Sequence, residues 1–266
     1  CSGQREASTL KELNFNLWQY CMFRREKSLV LTDLPDKIRQ VNTCEITNRK
    51  EYMDAERDLI MYLQKYKDAD DDKIEKALRG EVMVKIGLLR NISARGKVRD
   101  VIEFVKDFRE NGKKIILFCS LHEVVDQLKR YFPTAVSVTG RESPDEKQRA
   151  VDAFQNNPKA DIIICSIKAA GVGLTLTASS NVAFVEFPWT YADCCQCEDR
   201  AHRIGQKDSV TCYYFLGRRT IDEKVYRIIQ EKKNIANAVT GSTEDIEENI
   251  VDMVARIFDT EYDDEE

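Results

Sequence analysis

Residues 196–206 read QCEDRAHRIGQ, and three side chains in that run are placed to do chemistry together. On a helix, Gln196, Arg200 and Arg203 stand at i, i+4 and i+7 and project from one face. Two guanidiniums and an amide make a poor core surface and a good clamp for triphosphate oxygens. Arginine is always charged, and its planar fork matches phosphate geometry. A solvated helix face, paired with Glu198 and Asp199, is the competing reading of the same spacing.

The helix that must position these residues is expected over about 191–203, ended by Ile204-Gly205. Its other stripe, Cys194, Cys197, Ala201 and Ile204, reads as the buried side, with cysteine acting as a small hydrophobe. A metal site is not expected there: no second CxxC pair exists, and the chain's histidines are His122 and His202. Nine cysteines without a signal-peptide pattern point to free thiols in a reducing, intracellular compartment.

Around this helix, strand and helix patterns alternate with short turns. Strands are expected at 114–119, 134–138, 161–166, 181–186 and 209–216. Helices are expected at 98–110, 122–131, about 144–155 and 221–238. Ser143-Pro144-Asp145-Glu146 is a capping box with proline at the first helical position. Short β-branched runs separated by helices make this an α/β domain with a mostly parallel sheet covered on both faces. Ligands bind such sheets at the loops that follow the strands. Three of those loops carry suitable residues: Phe118-Cys119-Ser120, Val138-Thr139-Gly140-Arg141, and residues 165–177 with Ser166, Lys168, Gly171 and Gly173. Hydroxyls, exposed amides and glycines suit contact with phosphate or sugar-phosphate.

The first third differs. Helices near 8–22, 48–67 and 73–93 are expected, broken by the acidic run Asp68–Asp72, with a strand-like stretch at 40–46 added to the sheet edge. The division expected is 1–97, a helical protrusion and lead-in; 98–240, the α/β lobe; and 241–266, a C-terminal amphipathic helix and acidic tail. The net charge is −5, but residues 244–266 alone hold −10, leaving +5 on residues 1–243. The mildly basic body is compatible with a nucleic-acid partner. No apolar run approaches the length of a membrane span. The chain opens on Cys1 rather than Met, as expected of a fragment.

Taken in order, FCS, VTG, SIKAAGVGLTLT and VEFPWTYADCCQCEDRAHRIGQ resemble the second RecA-like lobe of the Swi/Snf-type ATPases of helicase superfamily two. Residues 21–47, 95–105 and 217–233 resemble the segments that flank that lobe. The resemblance implies that Arg200 and Arg203 are arginine fingers, reaching the γ-phosphate of ATP held on the other lobe, with Gln196 lining the same cleft. It implies that Gly171 and Gly173 shape a loop that senses nucleotide. Ser120, Thr139, Gly140, Ser166 and Lys168 would then lie along one DNA strand, with Trp189 near the minor groove. Trp189 equally reads as a core or rim tryptophan, and Arg24-Arg25 as a solvated helix face. Ala170, Thr175, Thr190-Tyr191 and Cys197 depart from the family's usual residues and point to a divergent member, of bacterial or phage type.

No G-x-x-x-x-G-K-[ST] loop and no Asp-Glu-x-His tetrad occurs, and Gly96-Lys97-Val98 lacks the upstream glycine and the hydroxyl. ATP and Mg2+ would therefore be held mainly by an N-terminal RecA-like lobe of the same protein. The expected function is the C-terminal lobe of an ATP-dependent double-stranded DNA translocase, inactive alone. The rivals are a lobe of a strand-separating DNA or RNA helicase and a non-catalytic DNA-binding module. The compartment would be cytoplasmic in a bacterium or phage host and nuclear in a eukaryote.

Overall fold

The computed structural model describes residues 34–67, 72–170, 173–236 and Val254. The expected helix at 8–22, Arg24-Arg25, Gly171 and nearly all of the C-terminal stretch lie outside these residues. Val254 is helical and fully buried against the core.

The elements follow the sequence pattern. They are β1 (Lys37–Cys44), α1 (Arg49–Lys67), α2 (Asp72–Glu110), β2 (Ile115–Phe118), α3 (His122–Tyr131), β3 (Val136–Val138) and α4 (Pro144–Asn156). Then come β4 (Ile162–Cys165), α5 (Ile167–Ala170), β5 (Asn181–Phe184), α6 (Tyr191–Glu198), β6 (Val210–Gly217) and α7 (Ile221–Ala236). The six strands form one sheet in the order β1-β6-β5-β2-β4-β3, and every pair is parallel. Parallel strands are buried on both faces, which accounts for their continuous apolar runs. Along β2 the side chains alternate: Ile115 and Leu117 enter the cluster with Val101 and Val105 of α2 and Leu128 of α3. Ile116 and Phe118 enter the opposite cluster, with Phe154 of α4, Cys194 of α6 and Ile228 of α7. Helix α4 starts on the expected capping box, the Ser143 hydroxyl accepting from the Glu146 amide at 3.3 Å while the Ser143 amide donates to the Glu146 carboxylate at 2.8 Å.

Three expectations are corrected. The helices assigned to 73–93 and 98–110 are a single helix of 39 residues that passes through residue 97 without a break. At 1.5 Å per residue it is about 58 Å long. Its first half packs on α1 and its second half on the sheet. Gly96 permits this continuity. A Cβ there would lie 2.7 Å from the Ile46 Cβ, so glycine lets the helix approach the chain leaving β1, where the Thr47 amide donates to the Gly96 carbonyl. The strand expected at 40–46 does lie at one edge of the sheet, but as β1 at 37–44. The helix expected to run to residue 203 stops at Glu198, with the Asp199 amide closing its last turn on the Cys195 carbonyl.

Candidate active site

Because all strands are parallel, the loops at their carboxyl ends gather at one edge of the sheet. Ser120 follows β2, Thr139 and Gly140 follow β3, Ser166 and Lys168 follow β4, and Trp189 lies between β5 and α6. Ser120, Gly140 and Lys168 are exposed. Thr139 is not: it is 1% exposed, and both its amide and its hydroxyl donate to Glu142, at 2.6 and 2.7 Å. The Ser137 hydroxyl donates to the other oxygen of the same carboxylate. Burial would raise the Glu142 carboxyl, but these hydrogen bonds from Ser137 and Thr139 override it and hold it down at about 2. The Ser166 hydroxyl accepts from the Ala169 amide and caps the short α5. Trp189 is half-buried, with the Arg90 guanidinium 4.0 Å above its ring. Arg90 is itself buried and donates to the Phe187 carbonyl.

The arginines lie at the opposite edge. Helix α6 carries the chain back from the carboxyl end of β5, and residues 199–206 form a turn before β6 begins. The Arg200 carbonyl accepts from Leu176, and the Gln206 side-chain amide donates to the Ser179 carbonyl at 2.9 Å, just ahead of β5. The His202 ring bonds the Pro35 carbonyl at 2.7 Å, just ahead of β1. Arg203 is exposed and donates to the Gly173 and Leu174 carbonyls, both at 3.3 Å. Arg200 is half-buried, and its Nε is buried without a hydrogen-bond partner. The turn thus joins both arginines to the loop of Gly173, whose φ of +29° favours glycine. Gln196 is exposed on α6 itself. The i, i+4, i+7 stripe was laid out on a single helix, and that helix ends at Glu198, so Arg200 and Arg203 stand on the turn beyond it. Ile204, assigned to the buried stripe, is 74% exposed, whereas Cys194, Cys197 and Ala201 are buried. Burial pushes the Cys194 and Cys197 thiols up, the latter to about 12, which keeps them neutral core side chains.

The helicase conserved C-terminal domain family matches residues 96–205, the span from the continuation of α2 to the arginine turn. The chain is 31% identical over 233 residues to the SWI/SNF-related matrix-associated actin-dependent regulator of chromatin subfamily A-like protein 1 of Xenopus tropicalis, covering 85% of this chain and 24% of that protein. This chain belongs to the C-terminal lobes of the Swi/Snf-type ATPases. A second relative, the DNA annealing helicase and endonuclease ZRANB3 of Homo sapiens, is 32% identical over 255 residues, covering 90% of this chain and 22% of that protein. This Swi/Snf-type lobe thus spans about a quarter of the length of these relatives. Its RecA-like fold is also that of the SWI2/SNF2 ATPase core of Sulfolobus solfataricus, solved in complex with double-stranded DNA. That likeness has a TM-score of 0.62 at 22% identity, over 85% of this chain and 50% of that one. No helix among the described residues is long and apolar enough to cross a membrane.

Several residues that hold this lobe's site were missed in the sequence. Gln206 is 8% exposed; its amide also donates to the Ala201 carbonyl, and its oxygen accepts from the Lys207 and Asp208 amides. With Gly205 at φ +100°, it makes the last residues of DRAHRIGQ a folding device for the turn. Glu198, a partner of the arginines only in the competing solvated-face reading, is wholly buried and bound instead by Lys37 and Arg39 of β1. Lys97, dismissed as part of a false phosphate loop, is 1% exposed. It donates to the Val185 and Phe215 carbonyls and to Asp222, fastening α2 to β5, β6 and α7. The available signal for Lys97 was its place on the helical stripe of Ala94 and Val101; for Lys37 and Arg39 the sequence held none.

Proposed function

We propose that this chain is the second lobe of an ATP-dependent double-stranded DNA translocase, completing from across the interlobe cleft an ATP site held on an N-terminal RecA-like lobe. The observation that carries the reading is the arginine turn: Arg203 is exposed, and beside it the buried Nε of Arg200 has no hydrogen-bond partner. A buried guanidinium nitrogen without an acceptor is costly unless an anion completes it. The γ-phosphate of ATP, presented by the other lobe, is such an anion. The two arginines would neutralise charge in the phosphoryl-transfer transition state, with Gln196 lining the cleft and the Gly171–Gly173 loop reporting the nucleotide's state. Among the described residues no three His, Cys, Asp or Glu side chains gather as metal ligands, and the roles assigned to this lobe need none. Mg2+ would accompany ATP on the other lobe.

At the far edge of the sheet, Ser120, Gly140, Ser166 and Lys168 would track the phosphates of one DNA strand, Thr139 supporting that loop from beneath and Trp189 meeting the duplex. Closure on ATP and opening after hydrolysis would alternate the grip of the two lobes on DNA. The assignment to double-stranded DNA draws support from the archaeal SWI2/SNF2 core solved with that ligand. The protein would work where DNA is, in a bacterial cytoplasm or a eukaryotic nucleus.

The test is Arg203→Ala in the two-lobed protein. Turnover of ATP is expected to fall by about 10³-fold or more, with DNA affinity unchanged within a few fold. Turnover near that of the parent refutes the finger assignment. The 266-residue chain alone is expected to show no DNA-stimulated ATPase. An unwinding assay on tailed and blunt duplexes separates translocation from strand separation.

A further inference from the structure

The turn that presents Arg200 and Arg203 has no regular structure of its own, so something outside it must fix its position. Helix α6 offers the answer on one stripe. Tyr191, Cys195 and Glu198 stand at i, i+4 and i+7, and all three meet one side chain, Arg39 of the edge strand β1. The Arg39 guanidinium lies 5.3 Å from the Tyr191 ring centroid and donates to the Cys195 sulfur at 3.6 Å. It grips the Glu198 carboxylate with two parallel bonds, Nε to Oε1 at 2.7 Å and Nη2 to Oε2 at 2.6 Å. The same carboxylate accepts from Lys37 Nζ at 3.0 Å and from the Tyr214 hydroxyl at 2.9 Å. Lys37 reaches on to Asp199 at 3.1 Å.

Glu198 is also the anchor of the turn's backbone. Its carbonyl accepts the amides of Ala201 and His202, at 3.1 and 3.0 Å, so its position sets the first residues of the turn. Burial alone would raise the Glu198 carboxyl, but Arg39 and Lys37 more than reverse this and keep it charged. Conversely, burial would lower the Lys37 ammonium, and Glu198 and Asp199 hold it up. An apolar contact at this place would stabilise as well as a buried ion pair. What the bidentate pair adds is direction: it allows one orientation of the carboxylate and one register of the turn.

We infer that Arg39 and Lys37, through Glu198, are positioning residues for the arginine turn, and that β1 therefore sets the geometry of phosphoryl transfer without touching nucleotide. This rests on the assignment of Arg200 and Arg203 to ATP. Misplacing a catalytic group by about 1 Å costs on the order of 10²-fold in rate.

The experiment uses the two-lobed protein and three variants beside Arg203→Ala. Arg39→Lys keeps the charge and loses the fork; Arg39→Met leaves Glu198 buried and poorly paired; Arg39→Met with Glu198→Met removes both charges and restores an apolar contact. Thermal unfolding, ATP turnover, KM and affinity for duplex DNA are measured for each. The double variant is expected to recover most of the melting temperature that Arg39→Met loses, while its turnover stays down about 10–100-fold with KM and DNA affinity within about twofold. Arg39→Lys is expected to fold like the parent and lose turnover by an intermediate factor. If turnover recovers with melting temperature in the double variant, or is unchanged in Arg39→Lys, the pair only holds the fold and the inference is overturned. If Arg203→Ala itself keeps turnover, the finger assignment falls and takes the inference with it. Loss in Arg203→Ala with full turnover in all Arg39 variants overturns the inference alone.

Discussion

At the carboxyl ends of the strands, polar side chains are paired with one another: Thr139 and Ser137 with Glu142, Ser166 with the Ala169 amide, Glu186 with the Ser120 and Leu121 amides. At the amino ends, charged groups are held from behind and left open in front. Glu198 and Asp199 are bound by β1 and Gln206 is bound by backbone, while Arg203 is exposed and the buried Arg200 Nε has no hydrogen-bond partner. The first edge is a finished surface on which Ser120, Gly140 and Lys168 are exposed, and on the proposed reading it meets DNA without rearranging. The second, on the proposed reading, would be completed by an anion from outside the lobe. The two edges are the opposite ends of the same parallel strands, a strand's length apart.

The separation gives a direct way to break the comparison. Arg200→Ala should lower turnover by about 10³-fold and leave the salt dependence of DNA binding unchanged. Lys168→Ala should weaken DNA binding across sequences, reduce the slope of log affinity against log salt by about 1, and leave turnover at saturating DNA within about twofold. Crossed effects, in a paired ATPase and fluorescence-anisotropy series, would mean that the two edges are not functionally distinct.

Gln206→Leu probes the scaffold of the reacting edge. It strips the Ser179 and Ala201 carbonyls and two amides of their partner, at a cost of about 1–3 kcal/mol, read as a lower melting temperature accompanied by lower turnover. Acid sharpens the contrast from the binding edge. The Glu142 carboxyl is depressed, so its contribution to stability is present above its ordinary value of 4.5 and is lost as pH falls toward about 2. Glu142→Gln should flatten the melting temperature between pH 5 and pH 2.5 and leave turnover at neutral pH unaltered. The smallest effect is expected from Trp189→Phe. A ring that meets the duplex should cost DNA affinity more than about twofold on this change; a smaller loss would leave it as a platform for Arg90 alone.

Much of this was legible in the chain. The strands declared themselves because a parallel sheet buried on both faces requires uninterrupted β-branched runs such as DIIICS, and the Ser143–Glu146 box fixed the start of α4. The long helix was misread as two because Gly96-Lys97 looks like punctuation when only local preference is weighed. In the fold, Gly96 makes room for Ile46 and Lys97 reaches three acceptors from other elements. The motif at 196–206 was read as a helical stripe because spacing alone cannot show where a helix ends.

By itself the sequence determined the class of fold, the order of its strands, the family and which residues are candidates to hold phosphate. Those depend on side-chain chemistry and on periodicities that a single segment expresses. Only the tertiary structure decided which of those residues stand together. It buried the Thr139 hydroxyl on Glu142, placed Arg200 and Arg203 on a turn beyond the helix that carries Gln196, and gave Glu198 to β1, whose nearest residue in that pairing is 159 positions away in the chain. A hydrogen bond or ion pair between distant segments leaves no period and no spacing in a sequence. It exists only once the sheet has set the two strands' ends side by side.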